Sequence, residues 1–275
     1  MKNDVVARLK QWLDEGRKYR LAVMSAVAAL CVCAVTLGLH AGSVEAAGTP
    51  RDLPIYNVKR DDKVVSISFD AAWGDEQTAS LLATLEKYHV HTTFFTVGQW
   101  VERYPDQVRA IAAAGHEVMN HSDTHPHMTK LSRTEMTAEL DRCSDRIEAL
   151  TGVRPILFRA PYGDYDNTLV GAARACGMYT IQWDLDSLDW KDLTAAQICE
   201  RILPKVQPGS IILLHNGGLH TPEALPMLLE GLQEQGYQVV PISELIYREN
   251  YSVDPNGTQI PRVDVNRDSA SDLFS

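Results

Sequence analysis

The chain of 275 residues is 45% hydrophobic and 23% charged, which is enough for one sizeable globular domain with an appendage. A net charge of −10, with no basic cluster beyond the first twenty residues, offers nothing to a phosphate backbone and excludes nucleic acid as an expected partner. Among five cysteines, Cys143, Cys176 and Cys199 have no CxxC spacing and fall at apolar positions of expected helices, so they read as packing residues rather than a disulfide framework.

The first element is the uncharged run Leu21 to Leu39, long enough at ~1.5 Å per residue to cross a bilayer core of ~30 Å. Arg8, Lys10, Arg17, Lys18 and Arg20 precede it. That flank predicts a cytoplasmic 1–20, a transmembrane 21–39 and an extracytoplasmic remainder. Two readings stay open: a signal-anchor held in the cell membrane, or a signal peptide cut near Val44-Glu45-Ala46-Ala47 that releases a secreted protein. A linker is expected over 40–60, a catalytic domain over 61–250 and a polar tail over 251–275, the last as loop or disordered end.

Within the domain, short apolar runs alternate with amphipathic stretches. Strands are predicted at Val64 to Asp70, His91 to Val97, Glu117 to His121, Ile156 to Arg159, Tyr179 to Asp184, Ser210 to His215 and Gln238 to Pro241. Their near-continuous apolar character suits a parallel sheet covered on both faces. Between them, Ser132 and Glu135 form a capping box for a helix reaching Leu150, with Met136, Leu140, Cys143, Ile147 and Leu150 along one face. Further helices are expected over Glu76 to Tyr88, Asp106 to Ala114, Asn167 to Cys176, Thr194 to Leu203 and Pro222 to Gln235, with Gly115, Gly177 and Gly236 at three of their ends. Repeated β-then-α order makes the fold class α/β, as a barrel or an open doubly wound sheet.

In parallel β/α architectures, functional groups collect at the C-terminal ends of strands. Here successive runs end in Asp70, in Asn120-His121, in Arg159, in Asp184 with Asp186 and Asp189 behind it, and in His215. A single charged strand end is usually a solvated edge, but five in succession make a set. His121 and His125 are four residues apart, a spacing that on a helical turn puts both imidazoles within reach of one ion. His127 reads as a rim residue, and Pro126 favours a loop over a continuing helix.

Over roughly Val64 to Leu245 these residues resemble the NodB-homology polysaccharide deacetylases, carbohydrate esterase family 4. The likeness rests on five ordered motifs: Ser68-Phe69-Asp70-Ala71, His121-Ser122-Asp123-Thr124-His125, Arg159-Ala160-Pro161-Tyr162-Gly163, Asp186-Ser187-Leu188-Asp189-Trp190 and Leu213-Leu214-His215. It implies a distorted (β/α) barrel of about seven strands and metal-dependent removal of N-acetyl groups from an extracytoplasmic polysaccharide, peptidoglycan or a chitin-like glycan. By the same resemblance His121 and His125 bind a divalent metal, with Zn2+ suiting two imidazoles, and Asp70 is the general base. Arg159 orients Asp70, while His215 is the general acid, held by Asp189. Trp190 and Leu213 wall the acetyl pocket and the Tyr162 N–H faces the oxyanion. The expected partners are the glycan and, through 21–39, the membrane, with the protein a monomer.

The match departs at Ala71, where most family members carry a second aspartate as a third metal ligand. Either water completes the shell or another carboxylate reaches in, Asp75 being nearest in sequence, although Asp75 also suits a helix N-cap. Some family branches similarly lack this aspartate. The competing reading is a non-catalytic glycan-binding or cell-wall assembly protein that keeps a degenerate site.

Overall fold

A computed structural model describes residues 51–262, together with Val5 and Gly16, both helical. No helix among the described residues is long and apolar enough to cross a membrane. The expected membrane segment 21–39, and residues 263–275 of the expected tail, lie outside the described residues.

The strands in chain order are β1 (Asn57–Val58), β2 (Val64–Ala71), β3 (Thr93–Thr96), β4 (Glu117–Asn120), β5 (Leu157–Phe158), β6 (Tyr179–Thr180), β7 (Leu185–Asp186), β8 (Ile211–His215), β9 (Gln238–Val239), β10 (Tyr251–Val253) and β11 (Thr258–Pro261). Seven of them form a curled parallel sheet in the order β6-β5-β4-β3-β2-β8-β7, with β9 pairing in parallel to the start of β2. This is the distorted (β/α) barrel expected. Crossover helices such as Thr78–Lys87, Pro105–Ala113, Arg133–Thr151 and Thr221–Glu234 link successive strands.

Side-chain alternation divides β2 between two environments. Val65, Ile67, Phe69 and Ala71 belong to the apolar layer under the helices, with Leu81, Leu85, Ile212, Leu214 and Leu228. Ser68 and Asp70 take the opposite face and meet Arg159. A second cluster, including Phe95, Met119, Leu157, Ile181 and Ile211, fills the concave side below them.

The helix Arg133–Thr151 has the expected capping box: the Ser132 hydroxyl accepts from the Glu135 N–H, and the Glu135 carboxylate accepts from the Ser132 N–H at 2.8 Å. Gly115, Gly177 and Gly236 all adopt the left-handed backbone their helix ends require.

Three expectations change. The expected loop or disordered tail is, over the described part, an antiparallel hairpin of β10 and β11, and β11 also pairs in parallel with β1. The 40–60 segment is not linker throughout, because Ile55 and Val58 are buried core residues and the compact unit begins at Arg51. Strand Tyr179 to Asp184 stops at Thr180, and the separate strand β7 follows it. Asp184 turns back instead, its carboxylate accepting from the Ser210 hydroxyl at 2.8 Å and the Ile211 N–H at 2.7 Å.

Candidate active site

Strand register brings Asp70 and His215 together. β2 and β8 run in parallel with Asp70 opposite His215, so both side chains emerge at the same level of the sheet's C-terminal end. Arg159, directly after β5, is fully buried and donates from Nη1 to Asp70 Oδ1 at 2.7 Å and from Nη2 to the Ser68 hydroxyl at 2.9 Å. Phe95 lies flat beneath the guanidinium at 4.1 Å. Burial by itself raises the Asp70 carboxyl, but the Arg159 guanidinium, aided by His215 and by its own hydrogen bond to the carboxylate, outweighs it and holds the group below the usual carboxylate range.

His121 follows β4. Its Nδ1–H donates to the Arg159 carbonyl at 2.8 Å, which leaves Nε2 facing Asp70 Oδ2 at 3.5 Å. The spacing to His125 is not that of a helical turn, since Ser122 and His125 both have left-handed backbones. A loop achieves the convergence, with ring centroids 4.9 Å apart. Buried Glu139 anchors that loop, its carboxylate accepting from the Asp123 and Thr124 N–H groups at 3.0 and 2.8 Å and from the Thr124 hydroxyl at 3.1 Å. The Ser122 hydroxyl accepts from the His125 N–H at 3.0 Å. Burial pushes both imidazoles down, His125 to about 4, so both are neutral near pH 7 with a lone pair free on one nitrogen.

Asp189 supports His215 from below. Its Oδ1 accepts from His215 Nδ1–H at 2.7 Å, and its Oδ2 from the His215 N–H at 2.7 Å and the Thr221 hydroxyl at 2.6 Å. Burial alone lowers the His215 imidazole, yet the bond to Asp189 and the charges of Asp189, Asp70 and Asp186 together raise it. One cavity of about 540 Å3 is lined by Asp70, His121, His125, Tyr162, Trp190, Leu213 and His215, together with Ala72, Trp73, Gly163, Trp183 and Asp186. Arg159 and Asp189 lie beneath this floor rather than on it.

All nine residues singled out in the sequence therefore belong to one constellation. Asp75 does not: it is absent from the cavity lining, it accepts from the Gln107 amide at 3.0 Å, and Gln77 rather than Asp75 precedes the helix. His127 stacks on Tyr162 with centroids 4.3 Å apart, at the rim. Trp73, Trp183 and Asp186 were given no role by sequence reasoning. Trp73 follows Asp70 by three residues and the end of its strand by two, a position that could have marked it, whereas Trp183 reaches the cavity only through the backbone turn after β6.

A polysaccharide deacetylase family model matches residues 57–181. PdaC of Bacillus subtilis, a peptidoglycan-N-acetylmuramic acid deacetylase, is 35% identical over 188 residues, covering 68% of this chain and 40% of that protein. A peptidoglycan-N-acetylglucosamine deacetylase of Bacillus cereus is 30% identical over 185 residues, covering 66% of this chain and 67% of that one. Among solved structures, a CE4 family pseudoenzyme from Bacillus anthracis superposes with a TM-score of 0.69 at 35% identity, covering 77% of this chain and 70% of that chain. The chain spans 60% of the length of the uncharacterized B. subtilis protein YlxY and 40% of PdaC. With its curled parallel sheet, its five motifs at one rim and these similarities, the chain belongs to the polysaccharide deacetylase family.

Proposed function

We propose that the protein is a metal-dependent deacetylase that hydrolyses N-acetyl groups on an extracytoplasmic polysaccharide, with peptidoglycan the first substrate and chitin-like glycan the next. The observation that carries this reading is the placement, in register at one cavity, of Asp70 held by Arg159, with its carboxyl lowered, and His215 held by Asp189, with its imidazole raised. A base and an acid of opposite protonation state, side by side, are what amide hydrolysis requires and what binding alone does not.

In this mechanism Asp70 takes the proton of the attacking water, and Arg159 keeps the carboxylate charged and aimed. His215 gives its proton to the departing amine nitrogen while Asp189 holds the ring. The Tyr162 N–H donates to the oxyanion that develops on the acetamide, and Leu213 and Trp190 enclose the acetyl methyl. Tyr162 is in left-handed backbone, which presents its peptide at the rim.

His121 and His125 would hold a divalent ion, and their state fits one: both are neutral, and the Arg159 carbonyl fixes the His121 tautomer so that Nε2 is available. Zn2+ suits this donor set. When bound, the ion supplies Lewis-acid polarisation of the carbonyl and a lowered water pKa. No group of three His, Cys, Asp or Glu side chains placed to hold a metal occurs among the described residues, and Ala71 has no donor. Two imidazoles therefore imply weak, exchangeable binding completed by water and substrate.

The remaining elements of the proposal are a membrane anchor or cleaved signal at 21–39, an extracytoplasmic domain and a monomeric protein. Fractionation of cells with an antibody to the domain, and mass measurement of the released form, test these.

The central test incubates the chain with N-acetylated peptidoglycan fragments, with and without chelator, and measures acetate. Metal-dependent release that is lost in Asp70→Asn and His215→Ala supports the proposal, and release indifferent to both removes it. A second reading, a glycan-binding protein without turnover, is favoured by Ala71 and by the similarity to the pseudoenzyme. It predicts glycan binding with no acetate released at any metal concentration.

A further inference from the structure

Trp73 is 46% exposed and lines the cavity beside His215. Its indole stacks on the His215 imidazole with centroids 5.4 Å apart and planes inclined by 30°. Two features hold it there. Trp100 donates from its indole N–H to the Gly74 carbonyl at 2.6 Å, which pins the turn just after Trp73. Gly217, two residues past His215, passes so close that a Cβ there would come within 2.7 Å of Trp73 Cδ1 and 2.8 Å of its carbonyl oxygen. Gly217 does not need a left-handed backbone, so what the absent side chain provides is room for the indole.

One face of the indole is thus committed to the imidazole, while nearly half of the side chain stays open to solvent at the mouth of the cavity. An aromatic face at the edge of a polar cleft is a platform for the C–H face of a pyranose ring, because it replaces water with apolar contact at little cost in side-chain entropy. We propose that Trp73 is a substrate-positioning residue: it packs the His215 ring in place and carries on its open face the sugar ring next to the acetamide to be cleaved. Trp190, 51% exposed, is on the same lining, and Tyr162 stands with the histidine pair. The ring on the open face of Trp73 is then the neighbour of the sugar whose acetamide enters the cavity, and it fixes where the glycan chain crosses the mouth. This rests on the deacetylase reading only for the role of His215, and not for the binding of the sugar.

The test compares wild type with Trp73→Ala, Trp73→Phe and Gly217→Ala, using N-acetylglucosamine tetramer as probe. Equilibrium binding is measured by calorimetry, KM and kcat by acetate release, and folding by the thermal midpoint. Trp73→Ala is expected to weaken tetramer binding and raise KM by about five- to tenfold, with a smaller fall in kcat and a midpoint close to wild type. Trp73→Phe restores most of the binding, and Gly217→Ala weakens it by displacing the indole. Equal binding by wild type and Trp73→Ala overturns the proposal whatever the turnover. A wild-type chain that binds the tetramer more tightly than Trp73→Ala yet releases no acetate supports the platform while removing the deacetylase reading.

Discussion

Asp70 and His215 are register partners on adjacent parallel strands, so the two groups proposed as base and acid are fixed by the same run of backbone hydrogen bonds. Residues that act as a unit lose activity non-additively. Asp70→Asn and His215→Ala are each expected to lower kcat by about 10²- to 10⁴-fold, and the double variant should lose far less than the product of the two. Steady-state kinetics on the three proteins checks this, and multiplicative losses would mean that the groups act independently.

The pH profile should be a broad plateau. Activity needs Asp70 ionised, and its carboxyl is held below the usual carboxylate range, so the acid limb lies low. It also needs His215 protonated, and that imidazole is raised, so activity falls as pH rises through a value above the ordinary imidazole range. Asp189→Asn removes the charge that raises it and should move the alkaline limb of kcat/KM to lower pH. The stability linked to His215 has the same sign: it is complete below the unfolded value and is lost as pH rises through the folded one.

His116 gives a pH dependence of the opposite sign, away from the cavity. Its Nδ1 accepts the Thr92 N–H at 3.2 Å, and burial with His91 nearby pushes it to about 4. Between the ordinary imidazole value near 6.5 and about 4, the unfolded chain takes up a proton that the folded chain refuses. Stability should therefore decline as pH falls through that window. His116→Asn, whose amide oxygen can accept the same N–H, should flatten the decline in urea-unfolding midpoints.

Removing the anchor of the histidine loop should cost both stability and metal. Glu139→Leu takes away an acceptor for two N–H groups and a hydroxyl, at a cost of about 2 kcal/mol or more. Asp123 and Thr124, which lie between the left-handed Ser122 and His125, then lose the anchor of their backbone. Lower urea midpoints together with weaker metal retention are expected, and intact metal retention would show that the loop holds itself.

Chelator dialysis should strip the metal and abolish acetate release, with recovery on adding back Zn2+. Because two imidazoles are the donors, exchange should be fast. His121→Ala and His125→Ala should each bring metal content close to zero, and metal retained by both variants would place the ion elsewhere.

The sequence made the strand-end residues legible because parallel β/α order sends functional groups to one rim, and β2, β4, β5 and β8 each end within a residue of an expected site group. The capping box of Ser132 and Glu135 was equally plain. What stayed hidden was tertiary. The His121 to His125 loop depends on Glu139, which is remote in sequence, and Trp73 becomes a site residue only because Gly217 makes room for it. The terminal hairpin did carry a local sign, since Asp254-Pro255-Asn256-Gly257 is rich in turn formers and Gly257 is left-handed, but its strands are short and polar.

The parallel pairing of β1 with β11 has a mechanical meaning. Strands that run the same way and are pulled from their far ends load all their hydrogen bonds together, in shear, instead of peeling one at a time. Tension drawn in through Arg51 and out past Arg262 would reach the bridge of Ile55 to Ile181 and then this shear-loaded clasp before the barrel strand that carries Asp70.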